Sequence, residues 1–268
     1  MRKFVRRLWF CLCLLSILAG ALYIYVYVPP QEQARIFAPQ PATNLDLPQA
    51  TPTGVRDFSE AKKIAAVLYQ DHPYTFYCGC RFSGKQVDHG ACGYKPIHDT
   101  TRAHRLEWEH IVPAHAFGQA FTQWKKGAAK CVHTSGKPYH GRACARVASK
   151  AFSQMEADLY NLVPAIGEVN QLRADFPMGL LPGVAPMFGK CRTKIFHGVI
   201  EPREEVRGFV ARTYKYMDAH YPGFSLITNA NRAMFEKWDR DYPADAFEIW
   251  RAKKIASIQG NANPFVSP

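Results

Sequence analysis

Six cysteines, Cys78, Cys80, Cys92, Cys131, Cys144 and Cys191, constrain this chain more than any other feature, because their state depends on where the chain resides. The N-terminus speaks to that. Arg2, Lys3, Arg6 and Arg7 precede an uncharged apolar run from Leu8 to Val28, which contains Cys11 and Cys13 and ends at Pro29-Pro30. At ~1.5 Å of rise per residue, such a run spans a bilayer core of ~30 Å. Residues 1–28 therefore read as a signal peptide or an N-terminal membrane anchor. Small residues around Leu18-Ala19-Gly20-Ala21 would permit cleavage, whereas the continuing apolar run would retain the chain. In both cases the positive flank stays cytoplasmic and the rest is exported. An even number of cysteines in an exported domain reads as disulfides, and six allow about 15 pairings. We expect Cys131–Cys144 as a local staple, with the other four pairing among themselves. The rival is a zinc site from Cys78, Cys80, Cys92 and a histidine, although Cys-x-Cys is a poor match to structural-zinc spacing.

Residues 29–56, rich in Pro, Gln, Ala and Thr, form a flexible linker, and the folded domain runs over 57–268. With 47 % hydrophobic residues the domain can build a core. Asp57 and Glu60 have capping-box spacing ahead of a helical stripe of Ala61, Ile64, Ala65 and Leu68, closed by Pro73. Tyr74 to Cys80 reads as extended, 81–104 as loop and Leu106 to Val112 as a strand ending at Pro113. Helix is expected over 114–125, loop over 126–148 and helix over about 150–160. Asn161 would then cap a second helix containing Pro164. Helices follow through Val206–Met217 and over about 229–239 and 244–257, with Arg203, Arg207, Arg212 and Lys215 on solvated faces. The fold class is α+β, mostly helical with a small sheet, and stapled by disulfides.

Glu107-Trp108-Glu109-His110 is the segment richest in chemistry. A hard cation needs oxygen ligands, and a general base needs a group that is neutral near pH 7, which histidine supplies. One carboxylate for metal and one histidine for water is a minimal kit for phosphodiester hydrolysis. A regular strand points Glu109 and His110 to opposite faces, so a shared site requires a strand end or bend. Met155 through Asn170 adds Asn161, Glu168 and Asn170 as polar candidates; Asn161 reads first as a helix cap and Asn170 as a helix C-terminal residue. The formal net charge is +12, of which residues 29–268 carry +8, favouring a polyanionic partner.

These segments together resemble the endonuclease I family of bacterial periplasmic and secreted nucleases. The likeness includes Tyr77-Cys78-Gly79-Cys80, Cys92-Gly93-Tyr94, Glu107 through Ala114 and Met155 through Asn170. It continues through Ala211 to Met217, Trp238, Tyr242-Pro243 and Gln259 to Phe265, covering about residues 60–266 in order. The resemblance implies a ββα-metal (His-Me finger) motif around one divalent cation. It implies His110 as the general base and Glu109 and Asn170 as ligands of Mg²⁺, with Mn²⁺ or Ca²⁺ as substitutes. Glu107 would orient groups around the metal. The products would carry 5′-phosphate ends, and the substrate would be DNA, and RNA as a further substrate, cut with little sequence preference. No protein partner is implied, and the chain reads as a monomer. Its place would be periplasmic, secreted, or anchored to the inner membrane by residues 8–28.

Two departures stand out. The family places Gly-Gly-Arg before the cysteine corresponding to Cys131, where this chain has Lys126-Gly127-Ala128-Ala129-Lys130. Lys130, or Arg142 or Arg146 from the longer following loop, would take over that arginine's phosphate contact, although lysine lacks the bidentate fork. Gln171-Leu172-Arg173 replaces Gly-Asp-Arg, keeping Arg173 as a phosphate contact. The missing arginine and the possible anchor leave a second reading beside the exported nuclease, a catalytically weak nucleic-acid-binding protein on the same fold; a third reading is a zinc hydrolase using the cysteine–histidine set.

Overall fold

The computed structural model describes residues 54–98 and 100–267. The signal or anchor segment and nearly all of the linker lie outside them. Helix α1 (Phe58–Leu68) starts where Asp57 Oδ1 accepts from Glu60 N at 2.9 Å, which satisfies an otherwise orphaned donor. The packed chain begins slightly earlier, since Val55 is buried and Gly54 N donates to Gln259 O at 3.0 Å. Within 74–80, expected as extended, Tyr74 bridges Arg81 antiparallel but residues 76–78 form a turn. In the expected loop 81–104 lie a small hairpin, β1 (Phe82–Ser83) with β2 (Gln86–Val87), and a helical turn, α2 (Thr100–Ala103).

Strand β3 (Leu106–His110) pairs antiparallel with β4 (Leu162–Ile166), from Leu106 opposite Ile166 to His110 opposite Leu162. The expected second helix at Pro164 is thus a strand. Leu162-Val163-Pro164-Ala165-Ile166 is buried at every position, and such a run suits a strand covered on both faces. Proline fits because β4 lies at the edge of a two-stranded sheet, where its missing N–H breaks no ladder; Phe76 N donates to Pro164 O at 2.7 Å. Helix α7 (Gly167–Arg173) follows β4 directly, so β3, β4 and α7 form one ββα unit.

The segment between the two strands is helical in short pieces: α3 (Ala114–Gly118), α4 (Thr122–Lys126), α5 (Arg142–Ala148) and α6 (Lys150–Glu156). Gly118 lets α4 fold back, since a Cβ there would stand 2.3 Å from the Trp124 ring. Helix α5 occupies residues that read as loop. A third hairpin, β5 (Lys194–Phe196) with β6 (Val199–Glu201), precedes α8 (Arg207–His220), α9 (Asn229–Asp241) and α10 (Ala246–Gln259). The architecture is mixed α and β, with small antiparallel sheets and three disulfides. Cys131–Cys144 pairs as expected, and the other four pair as Cys78–Cys191 and Cys80–Cys92. Because Cys78, Cys80 and Cys92 are all bonded to cysteine, the zinc reading has no thiolates left to use.

The C-terminal helices brace the ββα unit. Arg251 of α10 is buried and donates to the carbonyls of Leu159 and Leu162 at the entrance to β4. The fully buried Asp158 accepts from Tyr160 N, Gln259 Nε2, Tyr216 Oη and Tyr221 Oη. Arg212 corrects the solvated-face reading. It is 3 % exposed and pairs with Glu248 and Asp239, because a charge this deep is tolerated only when matched. Arg207 likewise pairs with Glu201 at 2.7 Å.

Candidate active site

His110 ends β3 and is 4 % exposed. Its Nε2 lies 2.8 Å from the main-chain oxygen of Glu156. A carbonyl only accepts, so Nε2 carries the proton and Nδ1 presents its lone pair. Facing Nδ1 at 3.4 Å is Arg142 Nη2. The Phe58 ring packs against the imidazole, with centroids 5.0 Å apart. Burial first, then the Arg142 charge, hold His110 down at about 3, against the pull of the Glu156 carbonyl in the other direction. The imidazole is therefore neutral at pH 7.

Glu156 is the hub of this cluster. Its side chain is fully buried, and its carboxylate receives Arg142 Nε at 2.5 Å and a two-point fork from Arg146 at 2.6 Å. Burial pushes this carboxyl up, but the two arginines outweigh it and the net shift is downward. Of the three cations weighed for the phosphate, Arg142 reaches His110, Arg146 shares its Glu156 anchor, and Lys130 lies with Arg146 along a second groove. Arg142 stands two residues before Cys144, the disulfide partner of Cys131.

The strand pleat sends Glu107 and Glu109 to the face opposite His110. Glu109 is buried, and its Oε1 receives Arg173 Nη1 at 2.6 Å and Tyr77 Oη at 3.3 Å. Arg173 is 1 % exposed and also donates to the carbonyls of His110 and Ile111 at 2.7 Å. The expected phosphate contact is replaced by a clamp on the end of β3, since its bonded donors all point into the protein. Glu107 is half-buried. Burial raises its pKa, but Arg102 and Arg105 more than offset that and hold it below the usual carboxylate range. As an ionised acceptor it receives Asn170 Nδ2 at 2.9 Å, which fixes the amide with Oδ1 turned away. Glu107 and Asn170 line a groove of 1070 Å³ whose wall includes Phe58, Lys62, Arg81 and Arg105.

Two motif residues have structural duties. Asn161 caps no helix; its amide accepts from Val112 N at 2.7 Å and donates to Val112 O at 2.9 Å, fixing the chain just after His110. Glu168 holds the 94–98 loop through Tyr94 Oη, Ile97 N and His98 N. Sequence reasoning missed Phe58, Tyr77 and the role of Glu156. Tyr77 and Glu156 carried a signal, since both lie in the segments whose likeness to the family was noted; Phe58 had none.

The family model for Endonuclease I matches residues 42–268. The chain belongs to the endonuclease I family. An extracellular deoxyribonuclease of Aeromonas hydrophila is 41 % identical over 223 residues, covering 80 % of this chain and 91 % of that protein. A periplasmic deoxyribonuclease of the same organism is 42 % identical over 216 residues, covering 78 % and 84 %. An Endonuclease-1 of Buchnera aphidicola (subspecies Acyrthosiphon pisum) is 38 % identical over 219 residues, covering 79 % and 81 %. For this endonuclease I chain the matched region contains the whole ββα unit and the Glu156 cluster. Among the described residues no helix is long and apolar enough to cross a membrane.

Proposed function

We propose that this protein is an exported endonuclease that hydrolyses DNA phosphodiesters, and RNA as a second substrate, through a ββα-metal site centred on His110. The observation that carries the reading is the fixed tautomer of His110. Nε2–H is spent on the Glu156 carbonyl, so Nδ1 is the basic atom, and an arginine faces it. Binding alone needs no oriented base. Export agrees with the disulfides and with relatives named extracellular or periplasmic.

Among the described residues no three His, Cys, Asp or Glu side chains are placed to hold a metal ion. A cation would therefore have few protein ligands, as Mg²⁺ commonly does. Glu109 and Asn170 would meet that demand by donor chemistry, from the face of β3 opposite His110, so a shared site requires the cation to lie past the strand end that His110 occupies. Each has one side-chain atom engaged, and no hydrogen bond among the described residues occupies Glu109 Oε2 or Asn170 Oδ1. One anionic and one neutral oxygen suit Mg²⁺, with Mn²⁺ or Ca²⁺ as substitutes. When bound, the cation supplies Lewis-acid stabilisation of charge on the phosphate and the leaving oxygen.

The protein's own residues do the rest. Once Arg142 Nη2 turns from Nδ1 to the phosphate, His110 Nδ1 takes a proton from water as the water oxygen bonds to phosphorus. The bond from phosphorus to the 3′-oxygen breaks, the departing oxygen takes a proton from solvent, and a 5′-phosphate remains. Arg142, 40 % exposed at its side chain, offers charge to the phosphate while Glu156 fixes its direction. Its place beside His110 supports the nuclease reading over the binding-only alternative. The test is supercoiled-plasmid cleavage by the full chain, oxidised, with Mg²⁺ or EDTA, beside His110→Ala. Cleavage that needs the metal and falls ~10²–10⁴-fold in the variant supports the reading. A folded, disulfide-intact wild type that does not cut, or a variant that cuts normally, overturns it.

A further inference from the structure

We infer that a second groove, lined by Lys130, Arg146, Ser149, Lys150 and Ser153, holds a stretch of nucleic-acid backbone away from the phosphodiester that is cut. The inference rests on the nuclease reading above. The groove has a volume of 580 Å³ and is separate from the one lined by Glu107 and Asn170. It joins the reaction centre through Arg146, which forks onto Glu156, the residue whose carbonyl holds His110.

The charge of Arg146 is matched by Glu156, with Asp57 nearby, but that of the two lysines is not matched from within. From His110 to Met155 the sequence has no aspartate or glutamate. Glu156 is committed to Arg142 and Arg146, and Glu60 to Arg56 on the groove's edge. Lys130 and Lys150 form no ion pair among the described residues. The positions of both are set by the backbone. Lys130 adjoins Cys131, whose buried sulfur is tied to Cys144 and whose N–H donates to Ala128 O at 2.8 Å. Lys150 begins α6 directly after its cap, Ser149, whose Oγ accepts from Phe152 N at 3.2 Å and so keeps its own proton to donate. Ammonium groups carried from fixed backbone positions, with neighbouring hydroxyls, suit successive phosphates and ignore base identity.

The test measures binding of the full-length protein to a short DNA duplex in EDTA, which prevents cleavage, at several salt concentrations. Each lost phosphate contact lowers the slope of log K against log salt by about 0.9. Lys130→Ala with Lys150→Ala should flatten the slope by about 1.8, and Lys150→Ala alone by about half that. A slope equal to wild type overturns the inference, and so does weaker binding at unchanged slope, which would mean a structural effect. Failure of the nuclease reading looks different: wild type then leaves plasmid uncut in Mg²⁺, whatever the slopes.

Discussion

The main chain of Glu156 holds the imidazole of His110, at 2.8 Å from Nε2, while the side chain of the same residue holds the arginine that faces Nδ1. Base and cation thus share one anchor. Glu156→Gln keeps the carbonyl and the shape but removes the charge. Arg142 and Arg146 then lose their common acceptor. We expect kcat to fall more than tenfold with KM affected less, and stability to fall by about 1–3 kcal/mol, because both arginines retain access to water. Steady-state kinetics and urea unfolding check this. Wild-type kcat in a correctly folded variant would show that the arginines need no anchor.

The same carboxylate makes acid stability testable. Its folded pKa lies below the ordinary value of 4.5 because Arg146 and Arg142 outweigh the burial that opposes them. A carboxyl with a depressed folded pKa contributes stability that is fully present above its unfolded pKa and lost as pH falls through the folded one. The contribution of Glu156 therefore fades below about pH 4.5. Melting temperature should decline there in wild type, and Glu156→Gln should flatten that part of the profile. Parallel profiles for the two proteins would exclude Glu156 as a source of the acid limb.

Arg142 and Arg146 share Glu156 but differ in reach. Arg146 spends Nε and Nη2 on the carboxylate, whereas Arg142 uses Nε there and carries Nη2 to the imidazole. A lysine has one nitrogen and cannot span both partners. Arg142→Lys should therefore lower kcat about tenfold more than Arg146→Lys does. Single-turnover cleavage at saturating protein measures the chemical step directly. Equal losses in the two variants would remove the distinction between them.

What the sequence disclosed depended on whether a residue's partner was local. Asp57 with Glu60, the strand before Pro113 and the Cys131–Cys144 staple are neighbours in the chain, and local spacing revealed all three. The run Leu162–Ile166 misled because a fully buried strand has no alternation, and Pro164 after Asn161 imitates a helix start. Arg212 read as a solvated charge because Glu248, its partner, lies 36 positions away. The His110 cluster needed four separate stretches, carrying Phe58, His110, Arg142 and Glu156, to meet. The family resemblance marked two of these stretches, those of His110 and Glu156, but could not show that Glu156 joins all four.

The disulfides should separate stability from catalysis. Cys78–Cys191 closes 113 residues of chain, and Cys131–Cys144 closes 13. Removing loop-closure entropy from the unfolded state stabilises by about 3 kcal/mol for a 15-residue loop and about 4.7 for a 100-residue one. Replacing the long-range pair with alanines should therefore cost about 1–2 kcal/mol more than replacing the short one. The activity ranking should be the reverse. Cys144 sits two residues after Arg142 on the same helix, so losing the short staple loosens the arginine that faces His110. The double variant Cys131→Ala with Cys144→Ala should lose kcat while staying folded at working temperature. The variant lacking Cys78 and Cys191 should retain more of its kcat in whatever fraction remains native. Urea midpoints and active-site-normalised plasmid cleavage give both rankings, and a short-staple variant with full kcat would show that α5 holds Arg142 in place without the disulfide.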